Sequence, residues 1–173
     1  MSPEEIIEIL LIAASPIAEL RAAIPLAITT LDFPWYHAFL ISIIGNILPV
    51  PFILLFLEAA TRLLNKVAVF KHFLSWLFER TRRRGRIIQS YKRIGLVLFV
   101  AIPLPVTGAW TGSLAAVLFG IDFKHAFISI FIGVIIAGVI VTCLTLLGWV
   151  GAVIAGITLS GMAVYSLWRA RYN

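Results

Sequence analysis

Glu19 and Arg21 stand two residues apart in "ELRAAIPLAI", with apolar runs on both sides. A carboxylate and a guanidinium in water-poor surroundings can do one of two things. They can pair with each other or with exposed backbone and close the structure, because an isolated charge at a bilayer centre costs about 2.5–3.5 kcal/mol on insertion scales. Or they can face a water-accessible cavity. There, desolvation favours the neutral carboxyl, so Glu19 becomes a group that takes up and releases a proton. Arg21 keeps its charge and suits a phosphate or a carboxylate.

A second candidate lies in "PLPVTGAWTG". Thr107 and Thr111 are four apart, as are Gly108 and Gly112. If Thr107 opens a helix, the free N–H groups of its first turn form an anion site. The plainer reading is a tight turn in which glycine permits close packing. Trp110 either lines the cavity or fills space. In "GNILPVPF", Pro49 and Pro51 would free the carbonyls of Gly45 and Ile47 if the helix runs on, and Asn46 could satisfy backbone exposed by the opposing broken segment. His37 and His125 match no metal-ligand spacing. No zinc-protease, nucleophile-elbow, P-loop or dinucleotide fingerprint is present, so neither an enzyme nor a cofactor or metal is expected.

These residues need elements to hold them, and the composition says which kind. The chain has 173 residues, 61% of them hydrophobic and 13% charged, with mean hydropathy +1.05. A soluble domain of this size cannot hide so much apolar surface, so the expected solvent is a bilayer. Five apolar stretches stand out, at 6–31, 37–57, 94–121, 126–147 and 149–168. A spanning helix needs about 20 apolar residues. The second, fourth and fifth stretches fit that simply. The first carries Pro16 and Pro25 beside its charges, and the third carries Pro103, Pro105, Gly108 and Gly112 in its middle. Each reads as two half-helices with a break, the pattern of a re-entrant hairpin.

Charge orients the chain. Ten of the fourteen basic residues lie between Arg62 and Arg93, with Glu79 the only acid among them. That loop is read as cytoplasmic and facing anionic headgroups rather than nucleic acid. Residues 61–80 read as an amphipathic helix on the membrane surface, with Glu58 and Arg62 as an interfacial pair. With two re-entrant segments, the acidic N-terminus lies outside while Arg169 and Arg171 end inside, which satisfies the lysine and arginine bias. Five full spans would violate it at both ends. The N-terminus has acids where a signal peptide has bases, and it is read as part of the mature chain. Cys143 is the sole cysteine, so no intrachain disulfide forms.

"HAFLISIIGN" at His37 matches "HAFISIFIGV" at His125, with His, Ala, Phe, Ile and Gly in register. In the preferred topology this repeat is inverted, and its two broken helices meet near the midplane, as in secondary transporters. The expected fold is an all-α integral membrane protein of two inverted repeats, each a re-entrant hairpin plus a transmembrane helix. Residues 1–60 form the first repeat, 61–93 a basic linker, 94–148 the second repeat, and 149–173 a last transmembrane helix and tail. Gly133 with Ala137 and Ala152 with Gly156 provide close-packing pairs, which suit a bundle or a homodimer.

"ELRAAIPLAI", "GNILPVPFILLFL", "IPLPVTGAWTGSLAA" and "FIGVIIAGVIVT" together resemble the small multi-drug export protein family over roughly residues 15 to 148. More distantly, the layout resembles the DedA/VTT membrane proteins, with two opposed re-entrant hairpins, an amphipathic helix between the halves and flanking spans. This likeness implies transport driven by the proton-motive force and, for some relatives, movement of undecaprenyl phosphate or phospholipid. Glu19 matches the acidic position of the first hairpin. DedA-type arginines lie in or after the second hairpin, whereas Arg21 lies in the first. The expected function is a small secondary transporter or flippase in the plasma membrane, moving an amphipathic or lipid-phosphate substrate. Glu19 would couple to the proton gradient, and Arg21 with Thr107, Gly108, Trp110, Thr111 and Gly112 would bind substrate. Pro25, Asn46, Pro49, Pro51, Pro103 and Pro105 would shape the broken helices. The alternatives are a drug-cation exporter, with Glu19 holding the cation, and a non-transporting scaffold or scramblase.

Overall fold

Ser2 begins the first helix by exchange of hydrogen bonds with Glu5. The Glu5 amide donates to Ser2 Oγ at 3.3 Å and the Ser2 amide donates to Glu5 Oε2 at 2.6 Å, with Pro3 in the first turn where no donor is needed. This is α1, Pro3–Ala14. The computed structural model describes residues 2–64, 85–104, 107–151, 153, 156, 157, 160 and 161. Among the described residues there are seven α-helices and no strand. After α1 come α2 (Glu19–Thr29), α3 (Trp35–Ile47), α4 (Val50–Leu64), α5 (Gly85–Ala101), α6 (Ala109–Leu118) and α7 (Phe123–Leu146).

The breaks follow from local chemistry. Ser15 precedes Pro16, which disfavours helical backbone there, and Ser15 is extended with ψ 146°. Its hydroxyl donates to Ile12 O at 2.8 Å and accepts from the Ala18 amide at 3.2 Å, so the turn satisfies its own polar groups. Pro25 does not break the first segment. It lies inside α2, where Ile24 before it is fully buried and packing holds the helix. Pro25 still removes the helical donor to the Arg21 carbonyl.

Stretch 37–57 is carried by α3 and α4, with only Leu48 and Pro49 between them; Leu48 keeps helical backbone and donates to the Ile44 carbonyl at 3.0 Å, and Pro51 falls in the first turn of α4, where a missing N–H costs nothing. The third stretch breaks between Ala101 and Ala109, as its proline and glycine content suggests. Pro105, the 61–80 amphipathic helix, the Glu58–Arg62 pair, most of the 149–168 stretch, and Arg169 and Arg171 lie outside the described residues and side chains.

Two helical stretches are long and apolar enough to cross a membrane, Trp35–Leu57 and Phe123–Leu146. At about 1.5 Å per residue, α7 exceeds a hydrocarbon core of about 30 Å. It buries Ala126, Ile130, Val134, Ala137 and Val141 along one face and packs on α2, α3, α4, α5 and α6. Around it, large apolar side chains stay exposed, among them Leu11, Leu40, Ile44, Phe52, Phe56 and Leu98. That exterior suits lipid, and the molecule is a helical membrane protein.

The packing has a repeated order. In each half the first helix lies on the third, α1 on α3 and α5 on α7. The middle helix of each half also packs across to the other half, α2 on α7 and α6 on α4. The repeat-equivalent glycines Gly45 and Gly133 serve these contacts. A Cβ on Gly45 would lie 2.7 Å from the Leu10 carbonyl oxygen, and one on Gly133 would lie 3.0 Å from the Val97 carbonyl oxygen. Each glycine lets a backbone approach the first helix of its own half.

At the start of α7, Asp122 turns its carboxylate to His125 Nδ1 at 2.6 Å rather than capping the helix. That hydrogen bond holds the Asp122 carboxyl below the usual range.

Candidate functional site

Glu19 opens α2 with a left-handed backbone, φ 51°. A non-glycine residue in that region carries strain of order 1–3 kcal/mol and is held there by its surroundings. The residue is 3% exposed. Glu19 Oε2 accepts from Arg21 Nη2 at 3.0 Å, and Oε1 faces the amide of Trp110 at 3.5 Å.

Ala109 and Trp110 are the first residues of α6, so the Glu19 carboxylate sits on that helix's N-terminus. Gly108, at the N-cap position, has no side chain to do the same work. Unpaired N–H groups and the helix dipole favour an anion there. The anion comes from the other half of the chain. Gly108 has φ 162°, extended backbone open to any residue, so its glycine is not required by conformation. It is required by space: a Cβ would lie 1.9 Å from Glu19 Oε2.

Two further bonds bind the first break. Asn46 is 1% exposed, and its Nδ2 donates to the Ala13 carbonyl at 3.1 Å. Trp110 Nε1 donates to the Ala14 carbonyl at 3.1 Å. Both carbonyls end α1 and lack helical donors. Asn46 therefore serves the broken segment of its own half, not the opposing one, and Trp110 reaches across instead.

A small pocket, with room for about one water, is lined by residues of both halves, with Glu19, Arg21, Asn46, Thr107 and Gly108 at its polar side. Apolar walls come from Leu20, Val100, Val134 and Ala137 among others. Two buried polar atoms in this group have no hydrogen-bond partner, Arg21 Nη1 and Asn46 Oδ1.

Of the remaining candidate residues, Thr107 and Pro103 line the pocket and the other described ones lie outside its lining. Thr107 does not open α6; its hydroxyl accepts from the Leu104 amide at 3.1 Å, donates to the Ile102 carbonyl and ties the turn. Thr111 Oγ1 reaches back to the Gly108 carbonyl at 3.5 Å. Gly112 is buried against Val100, where a Cβ would come within 2.5 Å of Cγ2. Pro25, Pro49 and Pro51 are not among the pocket's lining residues. Among the described residues, no group of three or more His, Cys, Asp or Glu comes together.

The link from Glu19 to α6 spans 91 positions and has no local motif. Its one sequence signal is Gly108 itself, a helix start with no capping side chain.

Chemically, the arrangement is a carboxylate held by a guanidinium and a helix N-terminus. Ionised, it is neutral overall and binds the two halves together. Protonated, it would leave Arg21 and the Trp110 amide without their anion. A family model described as putative small multi-drug export protein matches residues 19–140. No curated protein and no solved structure matches the chain.

Proposed function

Because the chain belongs to the small multi-drug export protein family, whose description points to membrane transport, we propose that it is a small proton-coupled secondary transporter or flippase. Glu19 is the coupling acid. Arg21, the Thr107–Gly108 turn and the start of α6 are the substrate contact. The substrate is an amphipathic molecule or a lipid phosphate. Thr111 and Gly112 act behind this contact, by packing and by tying the turn.

The observation that carries this reading is the Glu19 carboxylate, buried in a pocket between the halves and bonded to Arg21 on one side and to α6 on the other. A purely structural ion pair would need neither the pocket nor the two unpartnered atoms beside it. We further propose that α1–α2 and α5–α6 are re-entrant hairpins of an inverted repeat, with the N-terminus outside and the basic loop inside. The mirrored packing order and the paired contacts of Gly45 and Gly133 support the repeat. Interrupted helices whose backbone is covered by protein are what a membrane tolerates at depth.

The test is reconstitution of the full chain into liposomes with an imposed pH gradient, with a panel of lipid phosphates and drug cations. Accumulation driven by the gradient supports a coupled carrier. Ungated lipid exchange would instead make it a scramblase, and no flux would leave a scaffold.

A further inference from the structure

Resting on that transport reading, we infer that the meeting of the α1–α2 break with the start of α6 is a gate, and that the Trp110 indole is its latch. The first turn of α6 parts from the break to admit substrate, while the rest of α6 stays on α5.

Size and depth ask for a gate. The pocket has room for about one water, far less than any amphipathic solute needs. Something beside it must therefore move. On the side of the break, Ile17 is 89% exposed, whereas Glu19, two residues on, is 3% exposed. The carboxylate thus lies one step from the exterior, and the first turn of α6 is what stands on it. Gly108 approaches it so closely that a Cβ would overlap it, and the Trp110 amide faces it.

The packing shows how thin that cover is. Among the described residues, α1 packs along α2 and α3, and α2 along α1, α3 and α7. The sides of α6 lie on α4, α5 and α7 instead. The break and α6 meet end to end, and the hydrogen bonds that cross this meeting come from Trp110. Its amide reaches Glu19 Oε1 at 3.5 Å, the long limit for such a bond. Its indole Nε1 donates to the Ala14 carbonyl at 3.1 Å and is the firmer of the two.

The far end of α6 is fastened differently. Lys92 of α5 donates from Nζ to the Phe119 carbonyl at 2.9 Å, where a cation also meets the negative end of the helix dipole. Midway, Gly112 lets α6 close on Val100 of α5. So α6 is held to α5 along its length, and to the other hairpin at its first turn. Parting there breaks the Trp110 bonds. It spares Arg21 with Glu19 and Asn46 with Ala13, which lie within the first half. Release leaves the Ala14 carbonyl at the end of α1 without a donor, so the indole is drawn back once the site empties.

The test uses the full chain in liposomes, with Cys143→Ser and a reporter thiol at Ala137→Cys, a buried residue of the pocket wall. N-ethylmaleimide should label it slowly. Trp110→Phe keeps most of the ring without the donor, and it should raise the rate about tenfold, the effect of one lost hydrogen bond on an opening equilibrium. Lys92→Met loosens the opposite end of α6 and should leave the rate unchanged. In a second arm, Ala14→Cys with Trp110→Cys, again with Cys143→Ser, is bridged by a short reducible bis-thiol reagent. Bridging should stop gradient-driven flux, and reduction should restore it.

Unchanged labelling in a folded Trp110→Phe would overturn the inference. So would equal acceleration by Lys92→Met, which would mean general loosening of α6. Flux that continues across the bridge would overturn it whether or not Trp110→Phe folds, and would leave transport standing. Labelling that depends on Trp110, in a chain that moves no solute, would sink transport and keep the latch.

Discussion

At Glu19 one carboxylate joins a guanidinium two residues away to a helix 91 positions away. Removing either partner has different consequences. Arg21→Ala leaves the carboxylate without its countercharge in a site where it is 3% exposed. Breaking a buried pair in this way costs about 3–5 kcal/mol, so the variant should unfold markedly earlier in a detergent thermal melt. Gly108→Ala tests the contact from the other side. Its Cβ would overlap the carboxylate, and relief by shifting should cost about 1–3 kcal/mol. Adding Glu19→Ala should remove most of that cost, because the clash partner is gone, and a double-mutant cycle reads the coupling. Additive losses in the cycle would mean that Gly108 is needed for some other reason.

Glu19 and Arg21 were legible as a pair because charges in apolar sequence have few other uses. The helix start near Gly108 was legible as an anion site; that Glu19 itself is the anion on it was not, since the chain brings the two together by tertiary packing alone.

The elements are held at their breaks by side chains from elsewhere. Asn46 and Trp110 donate to adjacent carbonyls, those of Ala13 and Ala14. Trp110→Phe keeps most of the ring and loses the donor, which should cost about 1–3 kcal/mol by leaving a carbonyl unmet. Asn46→Leu should cost a similar amount. Because both bonds fasten one helix end, the double variant should depart from additivity, as measured by thermal or denaturant unfolding. Additive behaviour would show that the two carbonyls act independently.

Helix breaks were partly readable. The third stretch breaks where proline and glycine cluster. In the first, two prolines compete, and sequence alone does not rank them. Ser15 before Pro16 offers the backbone an alternative hydrogen bond, while Ile24 before Pro25 is clamped in the core, so only the former interrupts the helix.

For the whole molecule, mean hydropathy and charge clustering were enough to assign a membrane setting, since no soluble core could absorb this composition. The proposed orientation, with the N-terminus outside, rests on the basic loop between Arg62 and Arg93. A cysteine placed at Ser2, in a chain with Cys143 replaced by serine, should react with a membrane-impermeant reagent from outside. One placed at Arg171 should not. The reverse pattern would require five full spans and remove the re-entrant hairpins.

The central claim is that Glu19 couples movement of substrate to the proton gradient. The direct measurement is gradient-driven accumulation in liposomes carrying Glu19→Gln, compared with exchange at equal pH on both sides. Glutamine keeps the volume and the hydrogen-bonding capacity but cannot cycle a proton. The account predicts that accumulation disappears while exchange persists in a folded, inserted protein. Unchanged accumulation in Glu19→Gln would contradict it and leave the carboxylate as a fastening between α2 and α6.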